Sequence, residues 1–310
     1  MIDCLRMAKG IGKIVFDKNY RFRFLSGLGR YTNMPDEEYL KKKFYAVFGT
    51  ALDLDNPRTF NEKMQWLKLY NRDDKYTLMV DKYLVKDYVA NTIGERYIIP
   101  TLGVWENPDE IDFNSLPNRF VIKCNHNSGL GMIICSNKEK LDETAARKQL
   151  WTGIKQDYYS IDREWPYKNV NRKILAEKFM EDSEQKDGLT DYKIYCFNGE
   201  PRVIQVIKDR FSSSGMINDH YTLDWRKLDL VRGHYRITKE AIAKPVEMDE
   251  MIYLASILSK NIPFVRVDFY IINHSIYFGE LTFFPASGFT QFHPEKWDFV
   301  FGEWIKLPNN

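Results

Sequence analysis

Cysteine is scarce: Cys4, Cys124, Cys135 and Cys196 are the only four in 310 residues, and none belongs to a Cys-x-x-Cys pair. A secreted disulfide framework and zinc-ligand spacing are both excluded, and two of the four lie in apolar strand-like runs where a buried free thiol is expected. An excess of charge of one sign is also missing. The 45 Lys and Arg against 43 Asp and Glu leave a net charge of +2. The basic residues are spread along the chain with no RNA- or DNA-binding signature, so nucleic acid is not an expected partner. No apolar run reaches the ~18 residues of a membrane span, and the N-terminus has no signal-peptide hydrophobic region. A reducing cytoplasm fits these absences. There is no internal repeat and no low-complexity tract.

What is present is a globular composition, 44% hydrophobic and 15% aromatic, enough for a substantial core in one large domain or two to three small ones. The first thirty residues are basic: Arg6, Lys9, Lys13, Lys18, Arg21, Arg23 and Arg30 oppose only Asp3 and Asp17, with Ile11, Ile14, Val15 and Phe16 interleaved. Such a segment either rests on the anionic inner face of a membrane or packs on the protein as a solvated helix.

Helical signals dominate the first ninety residues. Pro35 and an acidic first turn open one helix that Gly49 closes; Thr59-x-x-Glu62 is a capping box; and "KYTLMVDKYLVKDYVANTIG" continues as a helix to Gly94. The period then changes to short β-rich runs, "YIIPTLGVW", "RFVIKCN" and "GMIIC", followed by a helix over "KEKLDETAARKQLWTGIKQDYY". Strands are expected at "KILAEKFM", "DYKIYCFNG" and "EPRVIQVIKDR", the last two joined by an Asn198-Gly199 hairpin turn, then a helix over "EMDEMIYLASILSKN". The order predicts an α+β chain.

Three stretches carry chemistry. In "VRVDFYIINHSIYFGELTF", Arg266 and Asp268 share one strand face, as do Glu280 and Thr282, and the polar turn between the strands brings all four to one patch. Two carboxylates on a dry face repel unless a cation stands between them. A structural Arg–carboxylate network and a Mg²⁺ site beside phosphates both satisfy that requirement. In "FVIKCNHNSGLG", a core strand delivers Lys123 to a loop of Ser128, Gly129 and Gly131, whose backbone N–H groups suit phosphate oxygens. It is not a Walker motif. A Gly-Leu-Gly turn also needs no ligand. In "KILAEKFMEDSE" an apolar strand ends at Glu177-Lys178-Phe179-Met180. Alone, it is a strand end.

Taken in order, these stretches resemble the ATP-grasp superfamily, and the closing "RVDFYIINHSIYFGELTFFPASGFT" is similar to the C-terminal motif of its D-alanine–D-alanine ligase branch. Within the superfamily, "NPRTFNEKMQWLKLY", "VIKCNHNSG", "DYKIYCFNGEP" and "YFGELTFFPASGF" resemble the TupA-like ATP-grasp family of polysaccharide and cell-wall loci, over roughly Asp53 to Trp304. The resemblance implies an ATP-grasp fold with two α+β subdomains gripping ATP. It leaves a basic extension at 1–50 outside, and implies a mainly helical region at 51–115, a first subdomain with lysine strand, loop and hinge at 116–182, and a second with the metal hairpin at 183–310. It implies ATP and Mg²⁺ as cofactors. Lys123 and the loop Ser128, Gly129 and Gly131 would hold phosphates, with Lys208 as a second phosphate contact; Glu177 and Phe179 would frame adenine and ribose. Asp268 and Glu280 would hold the metal, Arg266 would steady the transferring phosphoryl group, Lys193 would face nucleotide or substrate, and Arg210 would recognise a carboxylate. Thr282 stands where ATP-grasp enzymes usually have Asn, which weakens it as a metal ligand.

The activity implied is amide formation between a carboxylate, such as a uronic acid of a surface polysaccharide, and an amine through an acyl phosphate. Partners would be small-molecule or saccharide substrates; oligomeric state is open. Two other readings stand beside it. A glycosyltransferase would need a nucleotide-sugar site such as an Asp-x-Asp after a strand, but Asp53-Leu54-Asp55 precedes a capped helix, and a scaffold with a degraded site would draw on Thr282. His126, His234 and His293 are read as structural, His126 in a solvated loop.

Overall fold

Thr59 caps the helix Phe60–Tyr70 as expected: its hydroxyl accepts from Glu62 N at 3.1 Å while Glu62 Oε2 accepts from Thr59 N at 2.9 Å. This is one of the local motifs in a computed structural model that describes residues 15–308, apart from 186 and 234. Arg6, Lys9, Ile11, Lys13, Ile14 and His234, singled out above, lie outside the described residues. The helix Asp36–Phe48 carries three acidic residues in its first turn, which suits the positive end of its dipole, and ends on Gly49 at φ 77°.

The helix expected to run unbroken to Gly94 is two, Lys75–Val80 and Leu84–Ile93. Asp81 breaks it. In extended conformation, Asp81 turns its carboxylate onto Tyr83 N and Leu84 N, at 2.8 and 3.2 Å, and accepts from Asn125 Nδ2 at 2.8 Å. Capping bonds to a side chain thus replace the helix's own bonds, and Lys82 is left at the break.

Four strands, β1 (Thr101–Trp105), β2 (Phe120–Cys124), β3 (Ile133–Cys135) and β4 (Ile174–Lys178), make an antiparallel sheet in the order β1-β4-β2-β3. Its edge strand β1 comes from the stretch assigned above to the helical region. The helix Glu143–Ile154 packs under this sheet through Leu150 and Ile154 against Phe120, Ile122 and Ile174.

The second sheet takes β5 (Asp191–Phe197), β6 (Glu200–Lys208) and β7 (Ile217–Tyr221), then β9 (Phe264–Ile272) and β10 (Ser275–Thr282), in the order β10-β9-β5-β6-β7 and antiparallel throughout. A short β8 (Val231–Arg232) pairs with β11 (Phe292–His293). The turn at Asn198-Gly199 has both residues at positive φ, as the hairpin signal required. One face of this sheet shares a core with the N-terminal helices: Phe60 meets Phe264 and Phe301 edge-on at 4.9 and 5.8 Å. Such pairs contribute about 0.5–1.5 kcal/mol each beyond the area they bury. The helical region is therefore a buttress of the second sheet, and its other face is free to floor a site.

Candidate active site

The strand period places Asp191, Lys193 and Tyr195 on one face of β5, and the register brings β9 and β10 level with them. Lys193 stands opposite Gln205 on β6 and Asp268 on β9, Asp268 opposite Glu280, Tyr195 opposite Arg266, and Arg266 opposite Thr282. Gly279 makes this possible. Phe278 faces Phe269 in the core, yet Glu280, only two residues on, faces Asp268, because β10 spends an extra residue between them. A bulge of this kind re-aims the following side chain, and a Cβ at 279 would come within 3.0 Å of the Tyr270 ring and 3.2 Å of Asp268 O.

The result is a ladder of alternating charge. Arg210 donates to Asp191, and Lys193 bridges Asp191, at 3.3 Å, to Asp268. Arg266 grips Asp268 through Nε and Nη2 at 2.6 and 2.7 Å, and Nη2 also reaches Thr282 Oγ1 at 2.9 Å and Glu280 Oε1 at 3.2 Å. The Thr282 hydroxyl donates to Glu280 at 2.9 Å. The Asp268 side chain is 2% exposed and that of Glu280 41%, so Glu280 is the carboxylate that reaches into the cleft. Burial pushes Asp268 up in spite of Arg266 and Lys193. Desolvation acts on Glu280 in the same sense, but Lys82, Lys193 and Arg266 outweigh it and hold the group down to about 2. Burial works against the Arg266 charge as well; Asp268 overrides it and raises the pKa.

Facing this floor is the first sheet. Lys123 and Lys86 clamp Glu177 at 2.5 and 2.6 Å. Burial would raise Glu177, yet the two lysines draw it below the ordinary range. Lys82 donates to Asn127 O at 2.7 Å, and burial lowers its pKa although Glu280 and Glu177 support the charge. Three lysines against Glu177 leave the roof positive. Between roof and floor lies a cleft of about 1340 Å³. A single small-ligand pocket is about 300–1,000 Å³, so there is room for a nucleotide with a second reactant beside it.

Most residues picked from the sequence meet here: Lys123, Ser128, Gly129, Glu177, Phe179, Lys193, Arg210, Arg266, Asp268 and Glu280 line the cleft, with Thr282 bonded to Arg266 beneath. Three expectations are corrected. Lys208 is exposed on the sheet face away from the cleft, because Gln205 and Ile207 take the cleft-facing positions of β6 and 208 has the opposite parity. Gly131 is buried behind the loop, where a Cβ would come 2.9 Å from Gly153 Cα; it lets the loop pack on the helix rather than touch a ligand. His126 is 2% exposed, with Nε2 at 3.1 Å from Gln156 O, and burial lowers its pKa to about 4; it is structural but not solvated. Glu177 lines the cleft, but its carboxylate is taken up by the lysines. The Phe179 ring lies 4.2 Å under the Arg119 guanidinium.

Lys82, Lys86, Asp191, Tyr195, Gln205 and Arg232 also line the cleft and were not picked out. The spacing of four between Lys82 and Lys86 was the available signal for the first pair, and the spacing of two in "DYKIYCF" for the second. Asp53-Leu54-Asp55 is a turn away from the cleft: Asp53 Oδ1 accepts from Asp55 N and Asn56 N at 3.0 and 2.9 Å.

The donor set suits a hard cation. Among the described residues no group of three or more His, Cys, Asp or Glu side chains is arranged to hold a metal ion. Asp268 and Glu280 as register partners offer only carboxylate oxygens, and such a site draws its remaining ligands from phosphates and water, as Mg²⁺ does. Arg266 and Lys193 compete with a metal for Asp268; Glu280 Oε1 alone is engaged, by Arg266 and Thr282.

A cationic roof thus faces a charge ladder across two antiparallel sheets. The TupA-like ATPgrasp family model matches residues 62–306, and the chain belongs to that family. ATP-grasp ligases use ATP with Mg²⁺. No curated protein matches the chain. Among solved structures it is similar to the D-alanine–D-alanine ligase from Bacillus anthracis complexed with ATP, at 16% identity over 66% of this chain and 53% of that one, with a TM-score of 0.39. It is similar also to the D-alanine–D-alanine ligase from Helicobacter pylori, at 16% identity over 81% and 70%, with a TM-score of 0.41. A third similarity is to the D-cycloserine synthetase DcsG, at 17% identity over 66% and 62%, with a TM-score of 0.39. The chain spans about half the length of the first of these, 53%. No helix among the described residues is long and apolar enough to cross a membrane.

Proposed function

We propose that the protein is an ATP-dependent carboxylate–amine ligase whose nucleotide lies between the lysine roof and the charge ladder. The observation that carries this reading is the row Lys193–Asp268–Glu280 braced by Arg266, facing Lys82, Lys86 and Lys123 across a cleft large enough for two reactants. A carboxylate oxygen of the acid attacks the γ-phosphorus of ATP, and the bond from that phosphorus to the bridging oxygen breaks to release ADP. An amine then attacks the carbonyl carbon of the acyl phosphate; the C–O bond breaks, phosphate leaves, and the nitrogen loses a proton to water. The chain's part is positioning and charge. Lys123, with Ser128 and Gly129, would hold phosphates, Phe179 would cover the base, and Arg266 with Lys193 would meet charge on the transferring group. Asp268 and Glu280, with Thr282 between Glu280 and Arg266, would hold Mg²⁺, which neutralises phosphate charge when bound.

The acid would be a sugar acid of a surface polysaccharide or its precursor, handled in the cytoplasm where ATP is supplied, with the basic N-terminal segment at the inner face of the membrane. No serine or cysteine nucleophile is required: Cys124, Cys135 and Cys196 are all buried, and burial pushes the Cys124 and Cys196 thiols up to about 11 and 12. The test is phosphate release from Mg·ATP with panels of sugar acids and amines. Release that needs both an acid and an amine supports the ligase. Turnover of a nucleotide sugar with no use of ATP would replace it with a glycosyltransferase.

A further inference from the structure

Arg232 lines the cleft at 5% exposure, and among the described residues no carboxylate lies within ion-pair distance of it. Its Nη1 donates to Tyr195 Oη at 3.1 Å and Nη2 reaches Pro285 O at 3.4 Å, while Nε is buried without a partner. The guanidinium lies over Phe292 and Phe60, at 4.6 and 5.4 Å from the ring centroids. Asp298 acts on it through space, but both Asp298 oxygens are taken by Asn61, at 3.0 and 2.7 Å. A buried guanidinium without a counter-ion is costly, and aromatic faces offset only part of that cost. By contrast Lys193, Arg210 and Arg266 on the same cleft each have an acid in contact.

The hydrogen-bonded side chains that run from Arg232 along the cleft are polar and neutral. Tyr195 Oη donates to Gln205 Oε1 at 3.0 Å, and Gln205 Nε2 donates to Asn218 Oδ1 at 2.8 Å; all three residues line the cleft. A hydroxyl and two carboxamides both donate and accept, which matches sugar-type hydroxyls rather than an aliphatic chain. Tyr195 also stands opposite Arg266 in register, so an anion held by Arg232 would lie beside the ladder that meets the phosphates.

We infer that Arg232 is the substrate anchor: it holds the carboxylate of a polyhydroxylated acid, with Gln205 and Asn218 reading its hydroxyls. This deepens the ligase reading and rests on it. An anchored carboxylate completes the guanidinium through a two-pronged, charge-assisted contact that no acid among the described residues supplies.

The test is calorimetric titration of the full chain with sodium D-glucuronate, D-glucose and sodium acetate, and separately with Mg·ATP, for wild type, Arg232→Gln and Arg232→Lys. Glucuronate should bind wild type at least about tenfold tighter than glucose, which lacks the charge, and than acetate, which lacks the hydroxyls. Arg232→Gln should lose about tenfold or more of the glucuronate affinity, the loss expected for one charge-assisted contact, and keep Mg·ATP binding. Arg232→Lys, which keeps the charge without the fork, should fall between and serves alone if the glutamine variant does not fold. Equal glucuronate affinity in wild type and the folded variants overturns the inference, as does no preference for glucuronate over glucose. Weakened Mg·ATP with glucuronate intact would assign Arg232 to nucleotide phosphates and overturn it too. A wild type that binds glucuronate but not Mg·ATP would sink the ligase reading and leave the anchor standing.

Discussion

Glu280 faces Asp268 across β9 and β10 although it sits two residues after Phe278, which faces the core; Gly279 is the extra residue that reverses the parity. A pair of carboxylates is thereby set level across two strands whose neighbouring positions are core. The tight approach of 279 to Tyr270 and Asp268 O makes the position intolerant of a side chain. Gly279→Ala should destabilise by about 1–2 kcal/mol, as overpacking does, and weaken Mg·ATP binding. Urea unfolding and nucleotide titration of the variant measure both effects.

Glu280 is held down to about 2 from an ordinary 4.5 by Lys82, Lys193 and Arg266, which outweigh its desolvation. A carboxylate depressed on folding contributes stability that is full above its unfolded pKa and is lost as the pH falls through the folded one. Thermal unfolding of wild type should therefore lose this contribution between about pH 4.5 and pH 2. Glu280→Gln lacks it at every pH, so the gap between the two melting temperatures should shrink steadily over that window. A gap that widened toward acid would contradict the assignment.

Much of the hairpin was legible because charged residues at a spacing of two in an apolar strand can only mean a polar face, and Arg266, Asp268, Glu280 and Thr282 do share it. The capping box and the Asn198-Gly199 turn were legible because their signals are local. Lys208 was misread because a cation near a strand end looks the same on either parity, and parity depends on the pairing of β6 with β5 and β7. Beyond its spacing of four from Lys86, Lys82 was hidden by a helical period that continues through it; the break shows only in the bonds that Asp81 makes to Tyr83 N, Leu84 N and the distant Asn125. Arg232 gave no signal at all, since its distinction is that no acid among the described residues pairs with it in three dimensions.

Asp81 sets that break, so its removal should show in both stability and binding. Asp81→Ala loses the acceptor for Tyr83 N, Leu84 N and Asn125 Nδ2. A cost of about 1–2 kcal/mol is expected for the lost cap, with nucleotide affinity falling because Lys82 is no longer held at the cleft. Chemical denaturation with parallel ATP titration separates the two losses.

Glu177 is shared by Lys86 and Lys123, so the lysines should not be equivalent to their deletion together. Lys123→Met should weaken ATP binding while Lys86 still neutralises Glu177, with a small loss of stability. The double variant leaves a carboxylate with a 7% exposed side chain unpaired and should be destabilised by about 3–5 kcal/mol. A double-mutant cycle in urea reads the non-additivity.

Mg·ATP should bind between roof and ladder, and calorimetry on wild type and Glu280→Gln, with and without magnesium, tests this most directly. Wild type should bind ATP with an affinity that rises when Mg²⁺ is present, and Glu280→Gln, still folded by circular dichroism, should lose that magnesium dependence. Equal magnesium dependence in both proteins, or no ATP binding by wild type, would contradict it.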